Sequence, residues 1–467
     1  MEYLPAELLR MVMERIENFG YVDCEEEIPL RIKYFGYVEK DIIPIVRPRH
    51  LARSTLLSAV LVNKAWAAEA IRILWKNTRV TALAAIKDRD RRQFYAFHVR
   101  NLEVCYCECI KSPAECSTLR GLELPLLKFI DIHEVRELSI FDLRLCVECC
   151  IRPSLEVVQY VGFVLDSQIL HLLQTHCPNL NKIVVMVDVF ESVSALAELI
   201  DSCKSLRSII LYGSDEKEYS EEDEFDTGDS GVHADVHEQL LRSFACCNSL
   251  EELKVHTLFE YPAFCRVLRN TEQPFKDLRC LSFGLRLEAK SASLLVPKLN
   301  PHSLTALHLD IVIDGIDSTT NMMPEIGLRL VNLQRLSLEY GNEEDMPFHP
   351  NDMIPLQNLK RLRSLQISYL RFLPKLTDEL FISMVENWPE LEVLQLDLFG
   401  ADSVLSTKSL TSLGKLCPRL NNCQIIGSYN LTDWQNIPRP IFPQLQRLII
   451  NGSVDAHGFL DREGESQ

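Results

Sequence analysis

An α/β solenoid, a stack of short strand–helix units sharing one continuous core, is the fold this sequence predicts. Three observations predict it. A pattern Leu-x-x-Leu-x-Leu recurs twelve times, opened by Leu127, Leu155, Leu180, Leu206, Leu250, Leu278, Leu304, Leu333, Leu362, Leu391, Leu420 and Leu445. The steps from Leu304 to Leu333, Leu362, Leu391 and Leu420 are each 29 residues, and most others are 25 to 28. Helical stretches fill the space before many of the leucine runs. A fixed period in this range, with this pattern, marks leucine-rich repeats. One such unit cannot bury its apolar side alone, so neighbours must stack. The expected form is a horseshoe with parallel strands on the concave side and helices on the convex side.

One unit shows why each element forms. In Leu391-Glu392-Val393-Leu394-Gln395-Leu396 the leucines end the run at the strand period of two, so Leu394 and Leu396 point inward and Val393, Gln395 and Asp397 outward. Upstream, Thr377 and Asp378 offer a cap to Leu380–Val385. Proline disfavours the helical region for the residue before it, so Cys177-Pro178, Trp388-Pro389 and Cys417-Pro418 read as helix stops. Ile169, Leu170, Leu172 and Leu173 precede the first of these in the same design.

Composition narrows the class. The chain has 467 residues, 47% of them hydrophobic, ample for a large core. No basic region followed by an apolar run opens it, and no stretch approaches the ~18 apolar residues that span a bilayer. Its sixteen cysteines include Cys177, Cys203, Cys247 and Cys417 at repeat-equivalent positions, where cysteine acts as a small buried hydrophobe. An intracellular protein, cytoplasmic or nuclear, is expected. The net charge of −17 argues against nucleic acid or an anionic membrane as partner, since phosphate binding needs a basic footprint. Ser214 to Asp235 holds ten carboxylates against Lys217 alone, which accounts for the 44-residue step from Leu206 to Leu250 and reads as an acidic loop.

Catalytic patterns are missing. No Gly-rich phosphate loop, HExxH or G-x-S-x-G is present. Cys105, Cys107, Cys109 and Cys116, with Cys146, Cys149 and Cys150, contain only one C-x2-C spacing, and core or surface thiols are the simpler reading than zinc. His171 and His176 sit at a helix-to-strand junction. No cofactor is expected and no residue is assigned to catalysis or to a metal.

The first 80 residues differ from the rest. Leu4 to Ile16 reads as a helix with Pro5 in its first turn and apolar Leu8, Leu9, Val12, Met13 and Ile16 at helical spacing. Two more helices cover Leu56–Val62 and Ala67–Trp75. Three short helices form a small core, so packing on a partner or on the solenoid is expected. Leu4, Pro5, Glu7, Leu8 and Leu9, then Leu61, Val62 and Trp66, then Leu74-Trp75, occur in the order of an F-box, and the chain resembles the fungal type of F-box protein with leucine-rich repeats. Between the first two helices lies an insertion, roughly Gly20 to Arg53, with Glu25-Glu26-Glu27 and Tyr34-Phe35-Gly36-Tyr37, where the family crosses in a few residues. Loop closure entropy rises slowly with length, so the insertion is tolerable.

The resemblance implies a non-catalytic substrate-recognition subunit of a Skp–cullin–F-box ubiquitin ligase. It would bind the Skp-type adaptor of the cullin complex through Leu4, Pro5, Leu8, Leu9, Val12, Leu57, Leu61, Val62 and Trp66, and a protein substrate through the repeats. The alternative is a binding scaffold of the same architecture without a ubiquitin role. The implied organisation is a helical module over residues 1–80 with the insertion at about 20–53, a solenoid over 81–455 with the acidic loop at about 214–235, and a polar tail over 456–467. Outward residues of the strands form three rows. Gln366, Gln395 and Gln424 lie in the middle row, after His308 and Ser337. Arg335, Ser364, Val393 and Asn422 run on one side, and Asp310, Glu339, Ser368 and Asp397 on the other. One reading makes this a solvated face whose glutamines pair with each other. The other makes it a polar recognition surface for a partner with basic side chains, carried by His308, Asp310, Arg335, Glu339, Gln366, Gln395, Asp397 and Gln424.

Overall fold

The computed structural model describes residues 11–12, 50–105, 119–133, 144, 147–189, 193–213, 231–256, 261–312, 322–341, 347–372, 376–398, 404–426, 428–430 and 442–451. The expected first helix, apart from Met11 and Val12, the insertion up to His50, most of the acidic stretch, Cys107, Cys109, Cys116 and Cys146, and the polar tail lie outside them. The chain forms two compact units, divided between Asp226 and Thr227.

The first unit opens with helices α1 (His50–Val60) and α2 (Lys64–Lys76). Asn63 separates them as the cap of α2, its side chain accepting hydrogen bonds from the amides of Ala65 and Trp66 at 3.0 Å. There follow β1 (Asn77–Arg79), α3 (Val80–Ala84), α4 (Arg89–Ala96), β2 (Asn101–Cys105), β3 (Phe129–His133), β4 (Val157–Val164), α5 (Ser167–His176), β5 (Lys182–Val189), α6 (Val193–Ser202) and β6 (Ser208–Gly213). The strands pair in sequence order and all in parallel. Asp166 caps α5, and the helix ends at His176, before Cys177-Pro178, as the proline demands.

The second unit contains α7 (Gly231–Cys246), β7 (Glu252–His256), α8 (Tyr261–Asn270), β8 (Cys280–Glu288), α9 (Ala289–Leu295), β9 (Ala306–Val312), α10 (Met323–Arg329) and β10 (Arg335–Gly341). After these come β11 (Pro347–Phe348), β12 (Ser364–Phe372), α11 (Asp378–Val385), β13 (Val393–Leu398), β14 (Val404–Ser406), α12 (Thr407–Leu416), β15 (Asn422–Ile426), β16 (Ser428–Asn430) and β17 (Arg447–Asn451). Its main sheet runs β7-β8-β9-β10-β12-β13-β15-β17, again parallel throughout. Parallel neighbours joined through helical connections are the α/β leucine-rich-repeat solenoid the period implied.

Two recurring devices lock one repeat to the next. The first leucine of a repeat donates its amide to the carbonyl three residues earlier, as Leu180 does to Cys177, Leu206 to Cys203, Leu391 to Trp388 and Leu420 to Cys417. That residue is therefore an anchor at the turn, which explains the cysteines found there. Cys177, Cys203 and Cys417 are buried, whereas Cys247 is only half-buried. In addition, one carbonyl per repeat accepts two amides from the following repeat, using both of its lone pairs. Arg279 accepts from Thr305 and Ala306, Thr305 from Gln334 and Arg335, Gln334 from Arg363 and Ser364, and Arg363 from Glu392 and Val393, all within 2.7–3.1 Å.

Inward leucines are buried in the repeats from Leu127 and Leu155 to Leu420, whereas in the last one Leu445 is half-buried and Leu448 is exposed. Strand β13 alternates as expected, with Leu394 and Leu396 buried and Val393, Gln395 and Asp397 partly exposed. Thr377 caps α11 through its hydroxyl. Two expectations need correction. Between Leu333 and Leu362 the connecting element is a 3-10 helix (Pro350–Asn358): Pro355 inside it lacks the amide an α-helix needs, whereas Pro350 sits at the first position, where that amide is not required. Helix α7 begins at Gly231, so the last residues of the acidic stretch, Asp235 included, are helical. Burial of Leu240, Leu241, Phe244 and Ala245 stabilises that helix, and propagation adds residues at little further loss.

Candidate functional site

Two surfaces carry the residues singled out in the sequence. The first is the helical pair that opens the first unit. Leu56, Ala59, Ala70 and Ile73 form its core, with Val60, Trp66 and Leu74 packed against them. Trp75 stacks on Tyr95 of α4, ring centroids 4.5 Å apart and 14° between planes, which fixes the pair to the first layer of the sheet. The opposite side of α1 and the turn after it stay apolar and open: Leu57 is 53% exposed, Leu61 86% and Val62 57%. Val12 is exposed as well. Burying side chains of this size is worth roughly 1.5–3 kcal/mol each, so this face gains from being covered. Leu57 and Leu61 lie four apart, on one face by helical spacing, and Trp66 sits beneath as a half-buried support. Leu4, Pro5, Leu8 and Leu9 lie outside the described residues.

The second surface is the outward face of the sheet in the second unit. Register makes the middle row continuous: Lys254, Ser282, His308, Ser337, Gln366, Gln395, Gln424 and Ile449 are successive partners. The row of Arg335, Ser364, Val393 and Asn422 is equally regular and extends to Arg447. Gln366, Gln395 and Gln424 are aligned, yet no side-chain hydrogen bond joins them among the described residues. The third row is broken. Asp310, Glu339 and Ser368 are successive partners, but the register slips after Ile367, so Asp397 is displaced from that line and pairs onward with Ile426. A second slip, between Phe283 and Leu287, closes the other end. The extra residues in β8 and β12 are β-bulges. They isolate Asp310 and Glu339 as a short acidic segment.

Electrostatics sharpen that segment. Burial first, and Asp310 second, push the Glu339 carboxyl above its ordinary value. Burial, then Lys254, push His308 down to about 4, so its ring is neutral at physiological pH. His256 donates to or accepts from Ser282 Oγ at 3.2 Å, and its ring lies 6.0 Å from that of His308. Ser282, His256 and Gly284 were not singled out in the sequence. A serine and a histidine 26 residues apart become neighbours only through register, and no local pattern announces it.

In the first unit the outward rows begin polar. Arg79 pairs with Glu103 at 2.9 Å, and Gln159 donates to Asp131 at 2.9 Å. They end apolar. Val161, Val184, Met186, Ile210 and Tyr212 face outward by register, yet each is at most 8% exposed, and together they form a cluster of their own. Among the described residues no three His, Cys, Asp or Glu side chains converge on a metal site, and no helix is long and apolar enough to cross a membrane.

No family model matches the chain, and no curated protein matches it. Among solved structures, the yeast Rad7 and Elc1 complex aligns over 95% of this chain and 92% of its own, at 14% identity and TM-score 0.37. An internalin (InlF) from Listeria monocytogenes aligns over 79% and 92%, at 12% identity and TM-score 0.35. The leucine-rich repeat-containing protein LegL7 from Legionella pneumophila aligns over 61% and 87%, at 10% identity and TM-score 0.31. The assignment of the solenoid rests on its own strand register, bifurcated carbonyls and buried leucines, which no likeness at this level could supply.

Proposed function

We propose that the protein is the substrate-recognition subunit of a Skp–cullin–F-box ubiquitin ligase. The observation that carries this reading is the uncovered apolar face of Leu57, Leu61 and Val62 on a helical pair docked at the start of a leucine-rich-repeat sheet. Its position matches the part of the chain that resembles an F-box, and an exposed apolar cluster beside a packed tryptophan suits helix-in-groove docking to an adaptor. The solenoid then supplies binding surface, with His308, Asp310, Arg335, Glu339, Gln366, Gln395, Asp397 and Gln424 as the residues offered to a protein substrate. Its contribution to the reaction is proximity. Holding a substrate beside a charged conjugating enzyme raises effective concentration without any catalytic residue of its own.

The test is direct. Full-length protein mixed with excess Skp-type adaptor should elute as a stable complex in size-exclusion chromatography at micromolar concentration. Absence of a complex from folded wild-type protein refutes the ubiquitin-ligase reading and leaves a binding scaffold of the same architecture.

A further inference from the structure

We propose that the protein pairs with a second copy of itself through β17, joining the two sheets edge to edge. The main sheet of the second unit ends at β17, which pairs with β15 and, among the described residues, with nothing on its other edge. An uncovered strand edge presents unpaired N–H and C=O groups, which proteins commonly blunt with lysine, proline or a covering loop. Arg447-Leu448-Ile449-Ile450-Asn451 contains neither lysine nor proline. The core is open there as well. Leu448 and Ile450 continue the inward positions of Cys423 and Ile425, both fully buried, yet Leu448 is 37% exposed and Ile450 only half-buried. The last repeat of a solenoid needs a polar outer face to stay soluble, and this one ends on leucine and isoleucine.

The backbone selects the occupant. The Arg447 amide donates to the Asn421 carbonyl at 3.1 Å, so Arg447 turns its backbone toward β15. Successive residues of a strand direct their backbone groups to opposite edges, which aims those of Leu448 and Ile450 at the open one. A twofold axis through Ile449, normal to the sheet, then sets Leu448 of each copy opposite Ile450 of the other, as antiparallel pairs that exchange both backbone hydrogen bonds. This register keeps inward residues beside inward residues, so each copy closes the open end of the other's core. Arg447 comes opposite Asn451 and not a second Arg447. Although the chain carries a net charge of −17, Phe442 to Asn451 holds Arg447 as its only charge, so like charges do not meet at the axis. The residues that follow are a poorer cover. A hairpin turning at Asn451-Gly452 would set Ser453 and Asp455 against Ile450 and Leu448 on the core face.

The experiment is sedimentation equilibrium on the full-length protein at concentrations up to about 0.1 mM, a range suited to the modest affinity of a small interface. The average mass should climb with concentration from 53.6 kDa toward twice that value. Ile449 lies on the outward side and is half-buried, so Ile449→Lys and Ile449→Glu should melt close to wild type. Each sets like charges side by side at the axis and should raise the dissociation constant at least about tenfold. An equimolar mixture of the two variants sets opposite charges there and should associate more tightly than either alone. A wild-type protein that stays monomeric throughout overturns the proposal, as does a single variant that dimerises like wild type or a mixture that gains nothing. The wild-type measurement needs no variant to fold, and with no adaptor present its outcome is separate from that of adaptor capture.

Discussion

Gly327 sits inside α10, and replacing it with alanine sets two effects of known size against each other. In a helix interior alanine is favoured over glycine by about 1 kcal/mol, so helix propensity alone predicts a more stable protein. Space predicts the opposite. A Cβ at Gly327 would fall 2.2 Å from the carbonyl oxygen of Pro355, 2.3 Å from its carbon and 2.7 Å from the amide nitrogen of Leu356. Ordinary contact distances of about 3.5 Å require the two elements to part by roughly 1 Å. The obstacle is backbone, so no rotamer change removes it. That backbone is also pinned: the Leu356 carbonyl accepts from the Leu359 amide at 3.0 Å and from the buried indole of Trp388 at 3.1 Å.

Overpacking of this kind costs about 1–3 kcal/mol, and stranding the Trp388 N–H would cost about 1–3 kcal/mol more. After the propensity gain, Gly327→Ala should destabilise the protein by about 1–5 kcal/mol. Thermal melting followed by circular dichroism should show a fall of several degrees, at about 2–4 °C per kcal/mol. Leu328→Ala is the control on the same helix. Its side chain is 65% exposed, and a change within about 0.5 kcal/mol is expected. A Gly327→Ala protein that melts at or above wild type would show that the 3-10 segment yields freely, and the reasoning from close approach would be wrong.

Three further outcomes follow from named contacts. Leu61→Glu should abolish adaptor capture while leaving the melting temperature unchanged, because an 86% exposed side chain contributes little to the fold; retained capture would move the docking face elsewhere. For Asp378, burial opposes the charge, but hydrogen bonds from Ser406 and Ser409, with Lys408 nearby, outweigh it and lower its pKa. A depressed carboxylate pKa stabilises the fold above the unfolded value near ~3.9 and loses that contribution as pH falls through the folded one. Asp378→Asn should therefore be less stable at neutral pH and less acid-sensitive below about pH 4, which urea titrations across pH will read. His308 runs the other way. Its folded value of about 4 lies below the unfolded value near ~6.5, so the unfolded chain binds the proton first and stability declines as pH drops through that interval. His308→Gln should flatten the decline, and an unaltered slope would mean that the ring is not held neutral.

The parts of the fold legible in the sequence are those where one side of an element does a single job. Inward leucines must be large and apolar at every repeat, so Leu304 to Leu420 announce their own period, and register follows from it. The anchor position was legible in part. Cysteine, tryptophan, phenylalanine and leucine all serve there, and only their shared hydrogen-bonding role reveals that they are equivalent. The bulges were not legible. Whether β8 spends its extra residues before or after Gly284 depends on where His256 fits, a contact between residues 28 apart. The same holds for the polar cluster of Ser282, His256 and His308, whose members carry no individual signal.

Outward rows obey a different constraint, and the two units show it from opposite sides. In the second unit the row from Lys254 to Gln424 is polar and partly exposed save for buried Ser282, and nothing in core packing requires those identities. Residues freed from packing can vary without cost to the core, so outward positions such as Gln395 are free to be shaped by something other than the fold. In the first unit Val184 and Ile210 occupy the equivalent middle row and are fully buried, beside Met186 and Tyr212 in the next. Alternation cannot separate these from inward residues, because both sides of β5 and β6 are apolar. Substituting Ile210 should therefore be felt as a core truncation of about 2–5 kcal/mol for alanine, whereas Gln395→Ala, at an outward position of β13, should leave stability within about 0.5 kcal/mol. Equal effects at the two positions would mean that the outward rows of both units belong to the core, and the polar face of the second could no longer be read as a surface kept for recognition.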